Sequence, residues 1–330
     1  MSKITILGSG SWGSVIGESL AVNDHSVMMW QRDAHKASAM SADRLHPLLE
    51  NFIFSNNINF TSNLKQSLLG AEIVVVAVPS HSVREIMSNT AEFIGDDCII
   101  VNISKGLEID TLLTMSSVIA EETKGKYISI VSLYGPSHAE EVFRKIPTTL
   151  VAASRNENAL KRVQNIFSTQ VLRVYTNTDI LGVELGGSIK NVIAIAAGIC
   201  DGIGFGDNTK AAILTRGIAE MTRLGIAMGA LEKTFAGLSG IGDLFVTCSS
   251  KHSRNRFVGE EIGKGRKIDE IVSQMNMVAE GVKTAKAVFQ LCQKHDVIMP
   301  ISKAVYDVLY KDKDPRESVL ELMTRDLISE

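Results

Sequence analysis

The sequence predicts an α/β protein in which an N-terminal doubly wound domain is followed by a second, all-helical C-terminal domain. Three observations carry this expectation. Short apolar runs rich in Ile and Val alternate with helix-length stretches through the first half of the chain. A glycine string, Gly8-Ser9-Gly10-Ser11-Trp12-Gly13, follows the first run. Strand-like runs then stop near Gly182, after which Ala/Gly-rich helical sequence takes over. At 330 residues the chain exceeds the usual size of one hydrophobic core, and the expected division is 1–185 and 186–330.

The expected strands are 3–7, 26–30, 57–61, 73–78, 98–102, 127–132, 148–153 and 172–175. Each run is four to eight residues and rich in Ile and Val, as strands covered on both faces should be. Helices are expected between most of them, notably over 82–93, 110–121 and 156–167, so the order is βαβαβ and the sheet should be mainly parallel. Beyond Gly182 the expected helices are 187–200, 209–229, 253–263, 268–275, 281–294, 301–310 and 315–323. In the first of these, Ile189, Val192, Ile193 and Ala196 recur at the spacing of one helix face, and the many small residues would let neighbouring helices approach closely. No Pro- or Ser-rich linker separates the halves and no repeat is present, so the domains are expected to share a rigid interface with a cleft between them.

Composition narrows the function classes. Hydrophobic residues make up 45% and charged ones 22%, enough for buried cores and unlike a disordered chain. Lys plus Arg number 34 against 37 Asp plus Glu, a net −3, so a nucleic-acid partner is not expected and any bound anion must be met by a local site. Cys98, Cys200, Cys248 and Cys292 are scattered, which suits reduced thiols better than a disulfide framework. The histidines show no metal-binding spacing, and no metal is expected. Met1-Ser2-Lys3 runs directly into Ile4–Leu7, too short for a signal-peptide core. No uncharged apolar stretch approaches the roughly 18 residues of a membrane span, so a cytoplasmic protein without stable membrane insertion is expected.

The glycine string has a physical reading as a dinucleotide site of Rossmann type. Gly8 permits a tight turn, Gly10 lets a pyrophosphate come against backbone, Gly13 allows close helix–strand packing, and the helix start supplies N–H groups. The second strand ends Met29-Trp30-Gln31-Arg32 without the acid that commonly receives a ribose 2′-hydroxyl. Arg32 can receive a 2′-phosphate instead, while Asp33 keeps NAD in play, so NADP or NAD is the expected cofactor.

Two lysines sit in apolar or glycine-rich settings unlike the usual solvated lysine. Lys105 follows a strand end, and Lys190 is expected to open the first helix after the domain boundary. Both can face the expected cleft, where mutual repulsion and desolvation would suit one of them to proton exchange. The loop Gly237–Cys248, which contains Asp243, precedes Ser253-Arg254-Asn255-Arg256 at a helix start. Together they make a pocket for a small phosphate monoester, with simple capping by Ser253 as the structural alternative. Gly135-Pro136-Ser137-His138-Ala139 lies beyond another strand end, and nothing near His138 in sequence orients it as a base. Glu280, in Val278-Ala279-Glu280-Gly281, either touches cofactor or begins a helix favourably.

With these motifs in this order across nearly the whole chain, the sequence resembles the bacterial NAD(P)-dependent sn-glycerol-3-phosphate dehydrogenases. The match also runs through Ser104–Glu108, Gly182–Gly187, Lys190–Ile195, Asp201–Gly206, Gly242–Leu244 and Thr247-Cys248. The resemblance implies reversible hydride transfer between C2 of glycerol 3-phosphate and a nicotinamide, with reduction of dihydroxyacetone phosphate feeding phospholipid synthesis. It makes Lys190 the proton acceptor in alcohol oxidation. It puts Lys105, Gly135, Ser137, Lys190, Asp243, Ser253, Arg254 and Asn255 at the substrate. Gly8, Gly10, Gly13, Ser11, Trp12, Arg32, Lys105, Ala139, Arg254, Val278 and Glu280 fall to the cofactor. Trp12 stands where many relatives have another aromatic, and His138 falls at a variable position. NADPH is expected to be favoured over NADH, the partner to be a small phosphorylated substrate, and a homodimer stands as the candidate assembly. Two alternatives remain in view. A 3-hydroxyacid or 6-phosphogluconate-type dehydrogenase would need a carboxylate substrate, and a non-catalytic NADP sensor would need neither Lys190 nor the Arg254-Asn255 pocket.

Overall fold

The computed structural model describes residues 1–275 and 278–326. It separates into two compact units, one of Met1–Lys105 with Leu113–Val183, the other of Gly106–Leu112 with Glu184–Glu330.

The first unit is built on eight strands, β1 (Lys3–Leu7), β2 (Ser26–Trp30), β3 (Ile58–Thr61), β4 (Ile73–Val76), β5 (Ile99–Asn102), β6 (Ser129–Tyr134), β7 (Thr148–Ala153) and β8 (Leu172–Asn177). Its helices are α1 (Ser11–Val22), α2 (Ala34–Asp43), α3 (Leu64–Leu68), α4 (Val83–Thr90), α5 (Met115–Glu122), α6 (Ala139–Phe143) and α7 (Glu157–Phe167). The strands lie in the order β3-β2-β1-β4-β5-β6-β7-β8, whose first six positions follow the Rossmann arrangement. Every neighbouring pair is parallel except β6 with β7. In the central strands the apolar runs are explained by burial on both faces, whereas the edge strand β8 alternates, with Arg173 and Tyr175 exposed. On β4, Ile73 and Val75 belong to one hydrophobic cluster while Val74 and Val76 belong to the other.

Register places the functional edge. Leu7 lies opposite Trp30 and Val76, Val76 opposite Asn102, and Asn102 opposite Ser132. The chain therefore leaves β1, β2, β4 and β5 at one level, at the carboxyl edge where open α/β sheets bind ligands. The segment expected as a helix from 110 is helical only from Met115. Leu112 has φ 62°, a left-handed conformation that ends any helix through it.

The described elements of the second unit are all helical. Helix α8 (Ile180–Ile203) begins in the first unit and continues into the second. It is followed by α9 (Asp207–Ala227), α10 (Glu232–Phe235), a π-type turn (Leu238–Gly242), α11 (Asp243–Ser249), α12 (Arg254–Gly263), α13 (Ile268–Ser273), α14 (Glu280–His295), α15 (Pro300–Tyr310) and α16 (Pro315–Met323). Helix α8 is long and apolar enough to cross a membrane by length and composition, but 89% of its most apolar window is buried inside the protein, which makes it a core helix. It starts at Ile180, so Lys190 lies well inside it. The expectation that Lys190 opens the helix is corrected, because Asp179 accepts the Gly182 N–H and starts the helix earlier.

Small residues set how closely α8 and α12 approach. A Cβ on Gly198 would collide with the Arg256 carbonyl, and one on Gly202 with that of Glu260. Reciprocally, Gly259 faces the Ile195 carbonyl and Gly263 that of Ile199. The two helices therefore run parallel with their backbones in contact, through glycines one turn apart on each. At the far end of α9, the buried Glu220 accepts from the Ile301 N–H at 2.7 Å and the Ser302 N–H at 3.1 Å, capping α15 from outside. Gly259→Ala should lower unfolding free energy by about 1–3 kcal/mol, because the added methyl meets backbone that has no rotamer with which to yield. A fall in the urea midpoint with unchanged slope is the expected reading.

Candidate active site

The first cluster forms at the carboxyl ends of β1 and β2. Gly8 adopts φ 112° and donates its N–H to the Trp30 carbonyl at 3.1 Å. A Cβ there would lie 2.7 Å from the Ala77 carbonyl oxygen, and one on Gly13 would lie 2.6 Å from that of Gly8, so both glycines are required by the turn itself. A Cβ on Gly10 would meet no protein atom within 4 Å. Gly10 is the N-cap of α1 and has no side chain to satisfy the first N–H groups, so that side of the loop suits close approach by an anionic ligand. Ser11 and Trp12 form the first turn of α1, and Trp12 packs on the core.

Polar side chains after β2 are committed to holding this loop. Gln31 donates to the Ser9 hydroxyl at 2.6 Å and accepts the Asp33 N–H at 3.1 Å. Asp33 caps α2, accepting the N–H groups of His35 at 2.9 Å and Lys36 at 3.1 Å, and these backbone bonds hold its carboxyl below the usual range. Arg32, between them, is exposed.

A second cluster forms beyond β5 and β6. The Gly135 carbonyl accepts from Lys105 Nζ at 3.0 Å and from the Ser137 hydroxyl at 3.1 Å. Gly135 itself has φ 148°, and a Cβ would lie 3.0 Å from the Thr149 carbonyl oxygen. Lys105 Nζ also sits 5.7 Å from the centre of the Tyr134 ring. The lysine-bearing loop is set by buried groups. Asn102 accepts the Ser104 N–H at 3.0 Å and donates to the Tyr134 hydroxyl at 2.9 Å, which in turn donates to the Ser104 carbonyl at 2.5 Å. Asn102 and Tyr134 escaped the sequence reading because each resembles an ordinary strand residue until β5 and β6 pair. His138 and Ala139 sit at the start of α6.

The third cluster lies inside the second unit. Lys190 Nζ donates to Asp243 Oδ1 at 2.5 Å and to Thr247 Oγ1 at 2.6 Å, with side-chain exposures of 7% for the lysine and 1% for the aspartate. The Thr247 hydroxyl donates to the Asp243 carbonyl at 2.6 Å, so its lone pairs are left to receive the ammonium. Thr247 was missed as a site residue, although its i+4 spacing from Asp243 places both on one face of α11. The glycine-rich loop before α11 has its own cause. A Cβ on Gly186, one turn ahead of Lys190, would come 2.6 Å from the Ser239 carbonyl oxygen, so the loop backbone lies directly on α8.

At the start of α12, Ser253 caps the helix by accepting the Arg256 N–H at 3.2 Å. Arg256 is held by Asp201 at 2.7 Å, whereas Arg254 is exposed. The buried Asn255 amide donates to Asn191 Oδ1 at 2.9 Å and accepts the Gly281 N–H at 2.9 Å, joining α8, α12 and the start of α14. Glu280 occupies the first turn of α14, where a carboxylate favours the helix dipole, and Val278 precedes it at 39% exposure. Among the described residues no group of His, Cys, Asp and Glu is arranged to hold a metal ion.

Models of the NAD-dependent glycerol-3-phosphate dehydrogenase N-terminus and C-terminus match residues 3–160 and 179–320. A glycerol-3-phosphate dehydrogenase (NAD(P)+) from Prosthecochloris aestuarii is 51% identical over 325 residues, covering 98% of each chain. One of the same name from Chlorobium phaeobacteroides is 50% identical over 326 residues, again covering 98% of each. The crystal structure of a Coxiella burnetii glycerol-3-phosphate dehydrogenase aligns with a TM-score of 0.94 at 35% identity, over 98% of this chain and 99% of that one.

The third cluster makes a stability prediction that needs no substrate. Asp243→Ala leaves a buried ammonium without its carboxylate and should lower unfolding free energy by about 3–5 kcal/mol. The double variant Lys190→Met, Asp243→Leu should recover most of that loss, and denaturant titrations of both variants against the wild type provide the comparison.

Proposed function

The chain belongs to the NAD-dependent glycerol-3-phosphate dehydrogenase family, and from that membership we propose which residues carry each part of its reaction. The protein is an oxidoreductase that interconverts sn-glycerol 3-phosphate and dihydroxyacetone phosphate with NAD(P). We assign dinucleotide binding to residues 1–185 and substrate binding with proton transfer to 186–330.

The nicotinamide, when bound, takes or supplies the hydride. The residues present fit such a cofactor, since Gly10 leaves an open face beside the start of α1. Gly8 and Gly13 shape that turn, and Ser11, Trp12, Arg32, Lys105, Ala139, Arg254, Val278 and Glu280 complete the cofactor contacts. What remains for the protein is to move one proton. In oxidation the Lys190 amine accepts the proton of the C2 hydroxyl as hydride leaves C2, and in reduction its ammonium returns a proton to the carbonyl oxygen. The observation that carries this reading is a buried lysine held by a carboxylate and a hydroxyl, two acceptors that fix its Nζ and match the ammonium form. Lys105, fixed on the Gly135 carbonyl beside Ser137, stabilises the alkoxide that develops at C2. Arg254, with Ser253 and Asn255 at the start of α12, grips the phosphate, whose binding energy orients the reacting carbon.

NADPH is the favoured cofactor in this reading. Gln31 is engaged by Ser9 and by the Asp33 N–H, and Asp33 caps α2 through Oδ1, while the exposed Arg32 can pair with a 2′-phosphate. The reduction supplies glycerol 3-phosphate for phospholipid synthesis in the cytoplasm, with a homodimer as the working assembly.

Lys190→Ala should lower kcat by ~10²-fold or more while the nicotinamide still binds. Collapse of cofactor affinity with kcat preserved at saturation would show a binding role instead. Arg254→Ala should raise KM for dihydroxyacetone phosphate by an amount equivalent to a few kcal/mol, and should narrow the preference for that ketone over unphosphorylated dihydroxyacetone. For cofactor choice the informative quantity is the ratio of kcat/KM with NADPH to that with NADH. It should fall on Arg32→Ala by the equivalent of ~1–3 kcal/mol, and a ratio that does not move would leave Arg32 an ordinary solvated residue.

A further inference from the structure

Between α2 and β3 the chain buries His46, which is only 6% exposed and has no part in the assignments above. Its Nδ1 accepts two backbone N–H groups, those of Leu48 and Leu49, each at 3.0 Å. An imidazole nitrogen that accepts carries no proton, so the ring is the neutral tautomer with its proton on Nε2. That Nε2 lies 3.3 Å from the Ser9 carbonyl oxygen and donates to it. The ring is walled by Phe52 and Phe54, at centroid distances of 5.6 and 5.9 Å.

The segment carrying His46 is held by other bonds. Arg44 donates to the Ile58 carbonyl at 3.0 Å, Glu18 of α1 accepts the Ser55 N–H at 2.9 Å, and the Phe54 N–H reaches the Arg44 carbonyl at 2.7 Å. The bond to Ser9 is therefore directed at the glycine loop. In a trans peptide the C=O and the following N–H point in opposite directions. Fixing the Ser9 carbonyl on His46 thus turns the Gly10 N–H to the opposite side, and keeps a carbonyl dipole from facing an incoming pyrophosphate.

We propose that His46 is a positioning residue for the dinucleotide, holding the Ser9–Gly10 peptide in its anion-accepting orientation from behind the loop. The inference rests on the assignment of the glycine loop to cofactor binding. It also gives that binding a pH dependence. Burial lowers the proton affinity of the ring below its usual value, opposed only by the Ser9 carbonyl. Glu18 of α1 and Arg44 are engaged with backbone, and Asp43 at the end of α2 and Glu50 on the segment are exposed. Helix α6, which packs on the segment through Phe143 and Phe52, carries Glu140 and Glu141 in its half-buried first turn. Protonation would turn Nδ1 into a donor facing two N–H groups, so the arrangement is complete above the unfolded-state value of 6.5 and is lost as pH falls through the lower folded-state value.

The test uses His46→Asn and His46→Gln. The asparagine Oδ1 can replace Nδ1 toward Leu48 and Leu49 but cannot reach Ser9, whereas glutamine carries an N–H out to the position of Nε2. NADH, which lacks a titrating 2′-phosphate, is the probe, with Kd followed between about pH 5 and 8. His46→Asn should weaken NADH binding about tenfold at neutral pH and raise its KM, with kcat at saturation within about twofold of wild type. Glutamine should restore part of the affinity, and the acid-side loss of affinity seen in wild type should be absent from both variants. Wild-type NADH affinity that is flat across this range, or a folded His46→Asn with wild-type affinity and pH profile, overturns the proposal. Failure of the wild type to bind NADH or NADPH at all would instead overturn the loop assignment, and this inference with it.

Discussion

A lysine buried in the middle of a helix is the constraint around which the second unit is organised. Removing an ammonium and a carboxylate from water carries a penalty of several kcal/mol per ion, which only good geometry and further hydrogen bonds offset. Lys190 therefore needs Asp243 and Thr247 at the same moment, and these share a face because both lie in α11, one turn apart. The residues before it, Leu238–Gly242, form a π-type turn that runs straight into α11, and their backbone lies on α8 at Gly186. Glycine is thus required here to bring a carboxylate to a lysine.

The same helix carries the phosphate-binding candidates by a second close approach. Gly198 and Gly202 admit α12, whose own Gly259 and Gly263 admit α8, and the shared direction of the two helices sets Asn255 beside Asn191. Five glycines between residues 180 and 203 give α8 poor intrinsic helicity. Burial along nearly its whole length compensates, and each glycine in contact marks a place where another backbone must come near.

In the first unit the corresponding device is alignment of strand ends. Because β1, β2, β4 and β5 finish at one level, the loops after them gather at one edge, and buried polar side chains then fix each loop. Gln31 and His46 hold Ser9 through its hydroxyl and its carbonyl, while Asn102 and Tyr134 hold the backbone beside Lys105. These supports are neutral groups with their hydrogen bonds made, which keeps local charge for the residues proposed to meet cofactor and substrate.

The sequence by itself determined what depends on local pattern. Continuous Ile/Val runs specified strands covered on both faces, the glycine string specified a turn into a helix, and the run of small residues in α8 specified close helix contacts. Each of these follows from the periodicity or sterics of neighbouring residues, as does the i+4 spacing of Asp243 and Thr247, legible in principle though not used. Tertiary structure alone decided which polar groups meet across long separations. Lys190 is 53 residues from Asp243, and His46 is 37 from Ser9. It also decided that β7 runs antiparallel to β6, and that Asp33 is bound to its own helix start. The physical reason is that a hydrogen bond depends on position and direction in space. Sequence spacing sets these only within a turn or a strand, and packing of whole elements sets the rest.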